Sequence, residues 1–169
     1  MTGQEEAFVA TPPTPAPLGA YLEYWLRYVS NQASYAFGRL LEAEGVTVAE
    51  WTMLRELHGE VAIAPGRLAD RLGLTPSAIS KLAERLIGKA LVVRRFHPDD
   101  TRTHSLELSE TGRALIPRLG ALADQNDAAF FACMTPERRL LLSELLKGLA
   151  EHRGLKASTV GSKNGGACL

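Results

Sequence analysis

The chain has 169 residues, 46% of them hydrophobic, with 19 Lys and Arg against 19 Asp and Glu. That length suits one domain with a core, or a small domain with an oligomerisation arm, and zero net charge gives no reason in itself to expect a polyanion or membrane partner. Two cysteines, Cys133 and Cys168, exclude a disulfide scaffold, and without a long apolar run or secretory signal we expect a cytoplasmic protein with no membrane partner.

The charge is unevenly spread. Residues 1–65 hold three Arg against eight acids, residues 66–104 eight Lys or Arg against four acids, and residues 105–169 eight bases against seven acids. The middle third is therefore the candidate polyanion-binding surface.

Taken in chain order, residues 1–17 read as a disordered N-terminal arm, acidic and rich in proline. From Leu18 to Glu44 apolar residues recur at helical spacing, through Tyr21, Trp25, Val29, Phe37 and Leu41, until Gly45 ends the helix. Thr47 to Glu50 have the form of a capping box, opening a second helix that carries Trp51, Leu54 and Leu57 and stops near His58. After a brief apolar "VAI", Pro65 sits in the first turn of a third helix. Thr75 and Pro76 supply the N-cap and first-turn proline of a fourth. Only Gly73, Leu74 and Thr75 separate these two, which makes a helix-turn-helix candidate. "LVVRRFH" and "THSLELS" then read as two strands around a "PDDTR" tip. Ser109 caps a helix running from about Glu110 toward Phe131, bent at Pro117. A last helix starts at Thr135-Pro136-Glu137, and its "LLLSELLKGLA" is apolar on most sides, so we expect a second copy of the chain to cover it. Residues 155–169 read as a flexible tail.

On the fourth helix Ile79, Leu82, Ala83 and Leu86 form a core-facing stripe, while Ser77, Ser80, Lys81 and Arg85 fall on another face. Small at its N-terminal end and basic beyond, that face suits a helix entering the major groove. Thr75 at its start and Arg94 on the following strand join the candidate DNA contacts. An arginine at a hairpin tip, Arg102, suits the adjacent minor groove, with Asp100 orienting its guanidinium as a bidentate partner. The alternatives are a solvated helix face and a surface ion pair worth little.

The wing stretch "DTRTHSLELSETG", Asp100 to Gly112, resembles the signature of the MarR family of bacterial transcriptional regulators, with Ser109 in place of the usual Thr. "LADRLGLTPSAISKLAERLIGKALV" resembles that family's helix-turn-helix, and the order of elements matches from about Leu18 to Arg153. The resemblance implies a mainly α fold with a small β-wing. Residues 46–109 would form the winged helix-turn-helix lobe, and residues 18–45 with 110–154 a helical dimerisation region. It implies a homodimer on an inverted-repeat operator in double-stranded DNA, most simply a repressor, released by a small aromatic carboxylate of benzoate or hydroxynicotinate type. One departure is Ala90, where the family usually has glycine; a left-handed conformation there costs alanine free energy. For the effector, Arg27 stands near Tyr24, Tyr28 and Asn31 on the first helix, and Trp51 and His58 lie on the second. An anion suits Arg or His among aromatics, although aromatics at such spacing also make ordinary core.

Two other functions fit the residues less well. A thiol-based redox regulator of the same fold is one; the resemblance implies that some relatives use a reactive cysteine near the start of the first helix, this chain has none there, and Cys133 within "FFAC" reads as an inert buried thiol. A winged-helix protein-interaction module has no need of an oriented Asp100–Arg102 tip. No nucleophile motif or metal-ligand spacing occurs, so we expect neither an enzyme nor a metal or other cofactor.

Overall fold

The computed structural model describes residues 15–97 and 100–155, the side chains of 97 and 100–103 excepted. It has six α-helices and one antiparallel hairpin: α1 (Leu22–Leu41), α2 (Val48–His58), α3 (Pro65–Leu72), α4 (Pro76–Gly88), β1 (Val92–His97), β2 (Asp100–Leu108), α5 (Glu110–Phe130) and α6 (Pro136–His152). By internal contacts the chain divides into two units, Met1–Gln32 and Ala33–Leu169.

In the first unit, a short 3-10 turn at Leu18–Ala20 precedes α1, and the Trp25 indole N–H donates to the Gly19 carbonyl at 2.9 Å. Tyr24 and Tyr28 stack with ring centroids 6.0 Å apart, with Trp25 edge-on to both. The stacking leaves Trp25 and Tyr28 half exposed.

The second unit is a winged helix, and the expected punctuation builds it. Gly45, at φ 64, closes a 3-10 turn after α1. Thr47 and Glu50 then form the full capping box of α2, each side chain receiving the other's backbone N–H. Gly73, at φ 62, ends α3, and Thr75 caps α4 by accepting the Ala78 N–H. These stops turn α3 and α4 so that Leu68, Ile79 and Leu86 meet Met53, Leu54 and Leu57 of α2, all at most 1% exposed. Burying a side chain of that size contributes about 1.5–3 kcal/mol each.

The hairpin closes this core. β1 and β2 pair from Val92↔Leu108 to Phe96↔His104, where the register shifts, and Val92, Leu106 and Leu108 face inward. Ile63, within the brief apolar run before α3, adds a bridge to Leu106 through two backbone hydrogen bonds, so the wing is anchored along the outer edge of β2.

The turn into the wing has the one left-handed non-glycine residue among the described ones, Ala90 at φ 57. The left-handed conformation that the resemblance implies is adopted despite the Cβ. Its carbonyl accepts the Ser109 hydroxyl at 2.6 Å, and the same hydroxyl oxygen accepts the Gly112 N–H at 2.9 Å. Ser109 thus performs the capping for which a threonine hydroxyl would serve equally.

α6 differs from the other helices in having no buried residue. Leu140, Leu141, Leu145, Leu146 and Leu149 are between 42% and 63% exposed. Cys133 corrects an expectation: it is exposed, because it falls in the turn after α5 and not on a packed helix face. The 1–14 part of the arm, Cys168 and the tail beyond Leu155 lie outside the described residues.

Candidate nucleic-acid interface

α4 is amphipathic as its sequence requires. Ile79, Leu82, Ala83 and Leu86 are buried, and Ser77, Ser80, Lys81, Glu84 and Arg85 are exposed on the other side. Thr75 is engaged as the N-cap, its hydroxyl accepting the Ala78 N–H and its carbonyl the Ile79 N–H, and Pro76 has no N–H, so Ser77 alone offers a first-turn N–H at the end where a helix attracts anions. The Ser80 hydroxyl donates to the Pro76 carbonyl at 3.1 Å, so its oxygen remains available as an acceptor.

The two arginines nearest this face are each held by an acid. Arg94 on β1 lies 3.8 Å from Glu84, and Arg85 Nε lies 3.4 Å from Glu50 Oε1. Further along the wing, Arg95 grips Glu107 with two hydrogen bonds of 3.0 and 3.1 Å, which raises its pKa. The side chains of Asp100 and Arg102 lie outside the described residues.

Glu50 was legible in the sequence as a cap and nothing more. It is 1% exposed, and its Oε2 accepts from the Lys89 ammonium at 2.7 Å as well as from the Thr47 N–H. Burial pushes its carboxyl up, but Lys89 and Thr47 together outweigh burial and hold it below the usual carboxylate range. Lys89 also donates to the Gly45 carbonyl at 2.8 Å, tying the end of α4 to the loop before α2. A second acid network lies on α3, where Arg71 pairs with Glu60 and with the buried Glu56.

Of the residues expected to hold a ligand, Trp51 and His58 share a cavity. With Arg55 on α2 and Ile116, Pro117, Gly120, Ala123 and Asp124 on α5, they line a space of about 330 Å³. Trp51 is set by an edge-on contact to Phe37, ring centroids 6.3 Å apart. Neither Arg55 nor Asp124 has an ion-pair partner among the described residues. Sequence reasoning missed both, because a half-buried arginine one turn after Trp51 looks like any solvated helix position. Tyr24, Arg27, Tyr28 and Asn31 belong to the first unit, where Arg27 lies 3.8 Å from Glu23 and its side chain is exposed.

Residues 44–103 match a family model described as MarR family. The transcriptional repressor MdtR of Bacillus subtilis is 27% identical over 111 residues, covering 66% of this chain and 72% of that protein. Among solved structures, an E. coli MarR variant complexed with operator DNA superposes with a TM-score of 0.71 at 22% identity, covering 76% of this chain and 92% of the other. Bordetella bronchiseptica BpsR, whose DNA binding is regulated by 6-hydroxynicotinic acid, superposes with a TM-score of 0.74 at 20% identity, covering 81% and 98%. No helix among the described residues is long and apolar enough to cross a membrane.

Proposed function

We propose that this chain is a winged-helix transcriptional regulator of the MarR family, which its match over residues 44–103 supports, and that it acts as a homodimeric repressor released from an inverted-repeat operator by a small aromatic carboxylate. The observation that carries DNA binding is the exposed face of α4: two small hydroxyl residues, then Lys81 and Arg85, on a helix whose opposite stripe is buried. Short side chains let the backbone approach base edges, and the cations behind them reach phosphates. Arg94 and the wing-tip pair Asp100 and Arg102 are proposed as flanking contacts. Dimerisation is supported by the α6 leucines, which a second copy would cover.

The cavity between α2 and α5 supports the ligand class. A carboxylate pairs with Arg55 or His58, the ring packs on Trp51, and a hydroxyl on the far edge donates to Asp124. Such a ligand is a hydroxylated aromatic acid, the chemistry named for BpsR. On α1, Arg27 with Tyr24, Tyr28 and Asn31 is proposed as a second group of effector contacts. Release requires the ligand to bind the DNA-free arrangement of the dimer more tightly than the bound one.

The test is a thermal-shift screen of hydroxylated aromatic acids, repeated with bound duplex DNA. A ligand that raises the melting temperature of the free protein and displaces the duplex is expected. If every stabilising acid leaves the duplex bound, the effector half of the proposal is wrong.

A further inference from the structure

Glu50 is buried more deeply than capping demands. A capping-box glutamate needs only to reach back to one N–H, which an exposed side chain does equally well. Here the carboxylate is 1% exposed, and two cations from the far end of the helix-turn-helix converge on it. Oε2 is satisfied by Thr47 and Lys89. Oε1 has no hydrogen-bond partner and faces Arg85 Nε at 3.4 Å. A buried carboxylate oxygen without a hydrogen bond costs free energy unless a charge stands opposite, and Arg85 is that charge.

The Arg85 side chain is nevertheless 57% exposed. It is approached through Nε, so the rest of the planar fork keeps its donors for a partner outside, on the helix face that carries Ser77, Ser80 and Lys81. We propose that Glu50 is a positioning residue for DNA binding: it grips Arg85 and Lys89 from below, fixes the C-terminal end of α4 on α2, and presents the Arg85 guanidinium to a backbone phosphate. The proposal rests on α4 being the recognition helix.

Two effects of removing the acid have opposite signs. On charge alone, replacing Glu50 by glutamine takes a negative charge away from the DNA and tightens binding. Positioning works the other way. A guanidinium already aimed loses little freedom on contact, whereas a released one must be immobilised at the moment of binding, and bidentate phosphate contact depends on the orientation of the fork.

The test uses the full chain and a fluorescent duplex isolated from a random pool with the wild-type protein, read by anisotropy over a series of salt concentrations. Arg85→Ala should lower the salt slope by about 0.9 for each phosphate lost. Glu50→Gln should weaken binding by about two- to tenfold for each recognition helix engaged, and lower the slope in the same direction. The Glu50→Gln, Arg85→Ala double variant should bind no more weakly than Arg85→Ala alone. A purely structural role would leave the slope unchanged and make the two losses multiply, and either result overturns the proposal, as does a Glu50→Gln protein that binds as tightly as wild type or tighter. Should Glu50→Gln lose its cooperative melt, Glu50→Asp takes its place: it keeps the charge but retracts it from Arg85, and the same losses are expected. A wild-type protein that retains no duplex defeats the DNA-binding reading itself, and the role of Glu50 with it. A wild type that binds beside an unweakened variant defeats the role of Glu50 alone.

Discussion

Replacing Gly112 by alanine should destabilise the protein, although the position is helical and alanine is the better helix former. Gly112 lies in the first turn of α5, where a Cβ would stand 2.1 Å from the Leu91 carbonyl oxygen, against the 3.4 Å at which ordinary contact begins. That oxygen also accepts the Ser109 N–H at 3.1 Å, so it cannot retreat without loosening the cap of α5 from the start of the wing. Helix propensity favours the substitution by about 0.5–1 kcal/mol. Overpacking against backbone opposes it by about 1–3 kcal/mol, and a weakened Leu91–Ser109 hydrogen bond by about 0.5–1.5 kcal/mol. The net is a loss of about 0.5–4 kcal/mol, which in a chain of this size lowers the melting temperature by about 1–16 °C. Thermal denaturation followed by circular dichroism, at one fixed protein concentration, measures it. Gly120→Ala is the control in the same helix, since nothing lies within 4 Å of its Cβ, and it should raise the melting temperature by about 1–4 °C. A Gly112→Ala protein melting at or above wild type would refute the close approach of α5 to the wing.

Ala90→Gly should raise the melting temperature by roughly 1–4 °C, because relief of a left-handed alanine, about 1–2 kcal/mol, exceeds the entropy that glycine adds to the unfolded chain, about 0.4–1 kcal/mol; a lower melting temperature contradicts it. The Glu50 carboxyl is held below its ordinary range, so the stability it contributes is complete above the unfolded value near 4.3 and is lost as pH falls through the folded one. The gap in melting temperature between wild type and Glu50→Gln should therefore narrow from about pH 6 toward about pH 3, and a constant gap would show that the charge has no such role. Arg55→Ala should abolish release by an aromatic acid while leaving DNA affinity nearly intact, and Arg27→Ala in the same titration asks the question of the cation on α1. Sedimentation should give a dimer for the wild type and an 18.3 kDa monomer for Leu145→Asp; a variant that stays dimeric removes α6 from the interface.

Local signals carried the fold. Thr47, Thr75, Ser109 and Thr135 are N-caps where their sequence context puts them, and Gly45 and Gly73 stop helices where only a left-handed residue fits. Contacts between distant segments were not legible. The Glu50–Lys89 pair spans 39 positions, and nothing local distinguishes a glutamate that caps from one that also anchors a second helix. The Ile63 bridge to Leu106 was invisible for the same reason, since three apolar residues before a proline do not announce a strand partner. Arg55 was missed because its cavity is formed only when α5 folds back on α2, which brings Pro117 and Asp124 beside it. The basic middle third was legible as charge, but the acids that hold Arg85, Arg94 and Arg95 are visible only in three dimensions.

Sequencing the duplexes that the wild-type chain retains from a random pool tests its function most directly. A homodimer with two recognition helices enriches an inverted repeat whose half-site centres lie about one turn, 10–10.5 bp, apart. Recovered sequences indistinguishable from the starting pool would contradict sequence-specific DNA binding by this protein.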